Sequence, residues 1–148
     1  MRIRMVPAGA EDCKTVWEWR NDPTTRENSF TTGKIPYKDH VKWFGNVLHS
    51  EKTKLLMLVL DGKKIGNVRF DLSDGMAEIH INMNPAFRGK GLGSLSISES
   101  CRYAFKTFKI NKIIAKIKPS NERSINAFSK AGFSTTKKND IIEMALTR

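Results

Sequence analysis

No apolar run in this 148-residue chain approaches the ~18 to 20 residues of a membrane-spanning helix; the longest covers residues 55–60. The opening Met-Arg-Ile-Arg-Met-Val-Pro alternates like a strand and lacks the apolar centre of a signal peptide. Cysteine is scarce. Cys13 and Cys101 both fall at apolar positions of helical patterns, the setting of buried, reduced thiols in a cytoplasmic protein, and they make no metal set. The chain has no internal repeat or linker. It is too short for two ordinary domains and long enough for one well-buried core, so residues 1–148 are read as a single domain. Acidic residues are in deficit, 15 against 26 Lys and Arg, which leaves a net charge of +11. That excess is either a solvated basic surface or attraction to an anionic ligand. The basic residues are scattered rather than interleaved with aromatics in one block, so a polyanionic small molecule suits the sign better than nucleic acid.

What is present alternates strand and helix signals. A strand is expected over 1–6, then a helix over 11–20 with Cys13, Val16 and Trp17 at helical spacing. Pro23 ends it, because the residue before proline avoids the helical region. Residues 24–35 read as a loop, and Pro36 opens a helix through residue 50 with Val41, Phe44 and Leu48 on one face. The continuous apolar run ending at Leu60 predicts a strand buried on both faces. Asp61-Gly62 is a hairpin turn, and Gly66 shifts the alternation of the next strand, over 63–72, as a bulge does. Ser73-Asp74-Gly75 turns into a strand over 77–83. A helix over 92–108, a strand over 112–118, a helix over 121–131 stopped by Gly132 and a final hairpin of 133–136 with 141–147 complete the order. The class is α/β (α+β): a mixed, mostly antiparallel sheet of six to seven strands with helices on both faces.

The stretch between the strand over 77–83 and the next helix carries the spacing Arg88-Gly89-Lys90-Gly91-Leu92-Gly93-Ser94. Gly91 and Gly93 let backbone N–H groups approach a ligand closely, and the helix start adds free N–H groups and its positive dipole end. Arg88 and Lys90 add charge, which suits a diphosphate. The loop is neither a Walker A sequence nor the dinucleotide Gly-x-Gly-x-x-Gly. By itself it is equally a plain glycine-rich β-to-α turn.

About thirty residues further on stands Asn121-Glu-Arg-Ser124-Ile-Asn-Ala-Phe128-Ser-Lys130-Ala-Gly132-Phe133. The two stretches, in this order and at this separation, resemble the GNAT superfamily of acetyl-CoA-dependent N-acyltransferases over residues 54–148. The resemblance implies a GNAT-like fold in which the strands of Glu78 and Ile113 splay apart to admit acetyl-CoA as co-substrate, with no metal. It implies that Arg88, Gly89, Lys90, Gly91, Leu92, Gly93 and Ser94 hold the pyrophosphate. Backbone groups of Ile81, Asn82 and Met83 would hold the pantetheine arm and thioester, and Asn121, Ser124 and Phe128 would line the coenzyme. By residue type alone Asn121 equally caps its helix. Lys130 is as well placed for solvent as for phosphate. The family usually has Tyr at the position of Phe128, where it is credited with protonating the departing thiolate. A thiol of pKa ~8.5 leaves as thiolate near neutral pH at a cost of about 2 kcal/mol, so water, Ser129 or Ser124 suffices.

Acyl transfer to an amine also needs a group to take the ammonium proton. Glu78, His80 and Asn82 share one face of their strand, opposite Ile79, Ile81 and Met83. Three polar groups in a row mark a wet cleft or a solvated edge. Glu78 is the first choice of base, acting through water, and His80 the rival, since imidazoles transfer protons near neutral pH.

Trp17-Glu-Trp19-Arg20-Asn21-Asp22-Pro23 and Tyr37-Lys-Asp-His40-Val-Lys-Trp43-Phe44 add a finer resemblance, to bacterial N-acetyltransferases of UDP-linked amino-dideoxy sugars in the pseudaminic acid pathway. It implies that Arg20, Asn21, His40 and Trp43 line the acceptor side, and that the acceptor is a nucleotide-sugar amine. The plainer reading makes Trp17, Trp43 and Phe44 core. The branch that acetylates ribosomal-protein N-termini shares the segments less closely, and a basic RNA- or ribosome-associated acyl-CoA-binding module without turnover is the alternative of another class. Monomer and homodimer both stay open.

Overall fold

Asp61-Gly62 and Asp74-Gly75 take positive φ at both positions (50° and 76°; 49° and 76°), the turns whose twist matches that of the strands they join. In the computed structural model, which describes residues 2–148, they link β2 (Thr53–Leu60), β3 (Lys63–Ser73) and β4 (Met76–Met83) into an antiparallel meander. β1 (Arg4–Pro7) pairs with β2, and β5 (Lys112–Ile117) lies parallel to β4. β6 (Ser134–Lys138) and β7 (Ile142–Thr147) then complete a seven-stranded sheet of order β1-β2-β3-β4-β5-β7-β6. The mixed, mostly antiparallel sheet expected from the sequence is thus observed. Part of the strand expected over 1–6 falls on Met1, outside the described residues.

α1 (Cys13–Arg20), α2 (Pro23–Glu27) and α3 (Tyr37–Leu48) precede β2; α4 (Leu92–Thr107) and α5 (Glu122–Lys130) flank β5 in sequence. β2 explains why helices cover both faces. Its Leu56, Leu58 and Leu60 enter a large apolar cluster with Ile97, Cys101 and Phe128 of α4 and α5, while Leu55 and Met57 meet Val16, Trp19, Phe44 and Val47 of α1 and α3. Each such side chain contributes roughly 1.5–3 kcal/mol by leaving water. Burial pushes the Cys101 thiol up to about 12, so it stays protonated and inert.

Two expectations need correction. Residues 24–35 are not loop throughout, because α2 forms there. Pro23, expected only to end α1, stands at the first position of α2, where its missing N–H is no loss, and the Asp22 carboxylate accepts the Thr25 N–H at 3.1 Å. The buried face of α3 is also rotated from the predicted one: His40, Phe44 and Val47 point inward and Val41 is exposed. A histidine takes a core position because both ring nitrogens find partners, described below.

The bulge expected at Gly66 is present. Leu58 pairs with Gly66 while Val59 pairs with Lys64, leaving Ile65 as the extra residue. A Cβ on Gly66 would lie 2.6 Å from the Asn82 carbonyl oxygen and 3.2 Å from the Met83 Cα, backbone that cannot yield cheaply. Gly66→Ala should therefore cost about 1–3 kcal/mol in urea unfolding. Gly45→Ala, in α3 with nothing within 4 Å of the added carbon, should stabilise by about 0.5–1 kcal/mol.

Candidate active site

β4 and β5 pair only from Met76–Lys112 to Glu78–Ile114, although β4 runs on to Met83 and β5 to Ile117. Beyond that point the two strands share no ladder, and the edge of residues 79–83 facing β5 has no strand partner. The opening leads to the glycine loop. Gly89 and Gly91 both have φ of 72°, and nothing lies within 4 Å of where their Cβ atoms would be. Gly91 is the N-cap of α4, and no side chain caps the helix, so the N–H groups of Leu92, Gly93 and Ser94 are free for an anion. Gly93 allows α4 to approach α5 closely, its Cβ position being 3.7 Å from that of Ala127. Between the two helices runs a groove of about 620 Å³ lined by Gly91, Ser94, Asn126, Ala127, Ser129 and Lys130. Open space, free N–H groups and a basic rim fit a diphosphate. Among the described residues no group of three His, Cys, Asp or Glu is placed to hold a metal ion.

The loop's neighbours take different positions. Leu92 is buried in the core, so only its backbone is available to a ligand. Lys90 lies over the Phe87 ring, 5.6 Å from its centroid. Arg88 turns away from the groove: one guanidinium nitrogen donates to Asp22 Oδ2 at 2.6 Å and to Thr25 Oγ1 at 2.7 Å. Asn121 caps α5 by accepting the Ser124 N–H at 3.2 Å. Phe128 is 3% exposed and packs edge-on against Phe133, centroids 5.0 Å apart. It belongs to the core, and its ring offers no proton.

The opposite sheet face carries the polar stripe. Glu78, His80 and Asn82 of β4 stand directly across from Asp71, Arg69 and Asn67 of β3. His80 Nε2 lies 3.0 Å from Asp71 Oδ2 and 3.3 Å from Glu78 Oε2, held between the two carboxylates. Glu78 Oε1 is 3.6 Å from Lys116 Nζ across the splay. Arg69 grips Asp71 with both fork atoms, at 3.2 and 3.3 Å. Burial alone would raise the Asp71 carboxyl, but His80 and Arg69 outweigh it and hold it below the ordinary carboxylate value. Sequence reasoning found the β4 half of this stripe and missed Arg69, Asp71 and Lys116. The signal was there: Asn67, Arg69 and Asp71 alternate with Val68, Phe70 and Leu72 at period two.

α1 and α3 bring the remaining candidates to the same face. The Arg20 guanidinium sits 4.2 Å from the centroid of Trp43, and that of Arg69 lies 5.6 Å from it. His40 is 0% exposed; its Nε2–H donates to the Cys13 carbonyl at 2.8 Å and its Nδ1 accepts from Arg20 at 2.9 Å. Burial, with the Arg20 charge, holds the ring below the ordinary imidazole value, so it stays neutral and steers Arg20. His40 therefore does not line a cleft. Nor does the Asn21 side chain, whose amide donates to the Ile35 carbonyl at 2.9 Å and accepts the Ile35 N–H at 2.8 Å, pinning the segment before α3. Among the described residues no carboxylate reaches Arg20; burial and the Arg69 charge lower its pKa.

Residues 2–134 match the family described as "Acetyltransferase (GNAT) domain". The acetyltransferase PseH of Campylobacter jejuni is 26% identical over 127 residues, which cover 84% of this chain and 78% of that protein. The fold is shared with the spermidine N-acetyltransferase of Vibrio cholerae in complex with CoA and spermine (TM-score 0.89, 16% identity, 98% and 95% of the two chains). It is shared also with the aminoglycoside acetyltransferase AAC(6')-Ib in complex with coenzyme A (TM-score 0.84, 23% identity, 99% and 95%). The loop of free N–H groups beside two diverging strands suits a coenzyme's diphosphate, and with the family's match extending over residues 2–134 this chain belongs to the GNAT acetyltransferases, an acyl-CoA-dependent N-acetyltransferase.

Proposed function

We propose that the acceptor is the amine of a nucleotide-linked amino sugar and that the acetyl transfer takes place over the Glu78–His80 face of β4 in a ternary complex. The observation that carries the acceptor is Arg20, a half-buried guanidinium against the face of Trp43 that no carboxylate among the described residues reaches. A cation left unpaired in a low-dielectric wall is costly unless a ligand supplies the anion, and a fork over an indole suits a nucleotide's phosphate beside its base. A polyamine would need the reverse. The carboxylates of the cleft are already matched, Asp71 by Arg69 and Glu78 by Lys116 and His80. The match to PseH accords with this reading, but a spermidine N(1)-acetyltransferase of Escherichia coli matches at a similar level, 24% over 138 residues, so the preference rests on Arg20 and not on the relatives.

Acetyl-CoA supplies a thioester carbon that the amine attacks, forming an amide and releasing a thiol. The chain's residues do the rest. Free N–H groups at residues 92–94 and the loop glycines take the diphosphate, and the open edge of 79–83 offers its backbone to the pantetheine arm. Glu78 accepts the ammonium proton, and His80, set between Glu78 and Asp71, orients that carboxylate and spreads the charge. Phe128 leaves the thiolate to water or to Ser129, which lines the groove beside the loop. Two free cysteines suit a reducing cytoplasm, and residues 1–148 act as one domain.

Release of thiol from acetyl-CoA should be seen with a UDP-linked amino sugar; turnover confined to spermidine, an aminoglycoside or a peptide would sink the acceptor reading, and salt-sensitive RNA binding without coenzyme affinity would sink the enzyme. Arg20→Gln should raise the amino-sugar KM at least about tenfold with kcat little changed, the signature of a lost binding contact to a charge. Gly91→Glu should abolish coenzyme binding in calorimetry, at a strain cost of about 1–2 kcal/mol for a side chain at positive φ. Glu78→Gln should slow turnover more at neutral than at high pH, and a profile superimposable on the parent's would move the base to His80. Asp71 contributes stability above its unfolded pKa, and that contribution fades as pH falls through the lower folded value; Asp71→Asn should therefore flatten the acid side of the stability curve.

A further inference from the structure

We infer that Asp22 is a positioning residue: through Arg88 it locks α2, the short helix that follows α1, onto the coenzyme loop, so that the two substrate sites keep one register. The inference rests on residues 88–94 being the coenzyme loop. Asp22 lies 66 residues from Arg88 in sequence, yet the pair closes at 2.6 Å, with side chains 18% and 25% exposed. The same guanidinium nitrogen donates to Thr25 Oγ1, so Arg88 holds the first turn of α2 at two points. The far end of α2 is held as well: Lys118 donates from its Nζ to the Glu27 carbonyl at 2.9 Å. Arg88 follows β4 and Lys118 follows β5, so α2 is tied to both lips of the splay.

α2 has little else to keep it there. It buries no residue of its own, and its five residues are too few for a helix to persist by propensity. Its other ties stay within the same stretch of chain. Arg26 donates from Nε to the Asn21 carbonyl at 3.1 Å and from one fork nitrogen to the Thr32 carbonyl at 3.2 Å. Two residues before Asp22 stands Arg20, the guanidinium read as the acceptor's anchor. The register of the α1–α2 junction against the loop therefore sets how the Arg20 anchor, itself fixed by His40, stands relative to the thioester. Displacements of about 1 Å in such geometry cost catalysis heavily. The bond from Arg88 also holds the Asp22 carboxyl below its ordinary value.

Asp22→Asn isolates the ion pair, because asparagine caps a helix as well as aspartate does and keeps the Thr25 bond. The expected result is an amino-sugar KM raised about fivefold, coenzyme affinity by calorimetry within about twofold of the parent, and faster hydrogen exchange in α2 than in α4. Arg88→Gln should do the same, and the double variant no more than either single one. Tighter coenzyme binding by Asp22→Asn would overturn the inference, since Arg88 would then be a diphosphate ligand that Asp22 withholds. Unchanged KM with unchanged exchange in α2 would overturn it too. Should only the acceptor reading fail, the exchange measurement still decides. Normal coenzyme binding by Gly91→Glu would instead remove the loop, and this inference with it.

Discussion

Between Glu78 and Met83 the sheet gives up its own pairing. β4 and β5 share a parallel ladder for three residue pairs and then part, although both strands continue. A backbone edge in the middle of a seven-stranded sheet would ordinarily be filled, because each unmet amide or carbonyl in a dry interior costs about 1–3 kcal/mol. It is tolerated where the gap admits water or a ligand with matching groups. The parting also aims the chain that follows: the turn at Pro85–Phe87 and the glycine loop deliver the uncapped N-terminus of α4 to the mouth of the opening. The open backbone edge of 79–83 and the free N–H groups at the start of α4 are thus brought to one opening by one break in hydrogen bonding.

That break divides the two faces of the sheet into different materials. On the α4–α5 side, Ala77 and Ile79 of β4 join a continuous apolar core that includes Phe128. On the other side, side chains of α1 and α3 pack on Leu55 and Met57 of β2, and although α1 also reaches β4, the carboxylates, His80 and Arg69 remain partly exposed. The phenylalanine at 128 is then intelligible as packing. Its ring packs edge-on against Phe133 and carries no hydroxyl.

Some of the cations behind the net charge of +11 are balanced pair by pair at this face. Arg69 and Lys116 are answered by Asp71 and Glu78, and Arg88 by Asp22. Arg20 is held in place by the neutral, buried His40 and is left unanswered among the described residues. An excess of cations over the whole surface attracts polyanions without regard to place, whereas a guanidinium held against an indole with no carboxylate partner is a local feature of this face.

Much of this was legible in the linear order of residues. The Asp-Gly turns, the bulge at Gly66, the strand buried on both faces, the glycine loop and the Asn121–Gly132 helix signals are local chemistry, set by φ preferences, missing Cβ atoms and alternation. Those forces act within a few residues, so reading them needs no neighbour in space. The face of Glu78 and His80 was legible for the same reason. The polar face of Asn67, Arg69 and Asp71 was visible in the same alternation. That Arg69, Asp71 and Lys116 meet Glu78 and His80 was not, because which strand stands opposite, and in what register, is decided by burial over the whole sheet. Pro23 was read as a stop and proved also a start, since Asp22 caps the helix that begins beside it. The resemblance implied that His40 and Asn21 line the acceptor side; tertiary packing instead spends both His40 ring nitrogens on Cys13 and Arg20 and ties the Asn21 amide to both backbone groups of Ile35. The sequence alone determined which backbone stretches could grip a diphosphate, and only the folded chain decided which charges were left over to meet an acceptor, because a charge is free or spent according to its neighbours in space.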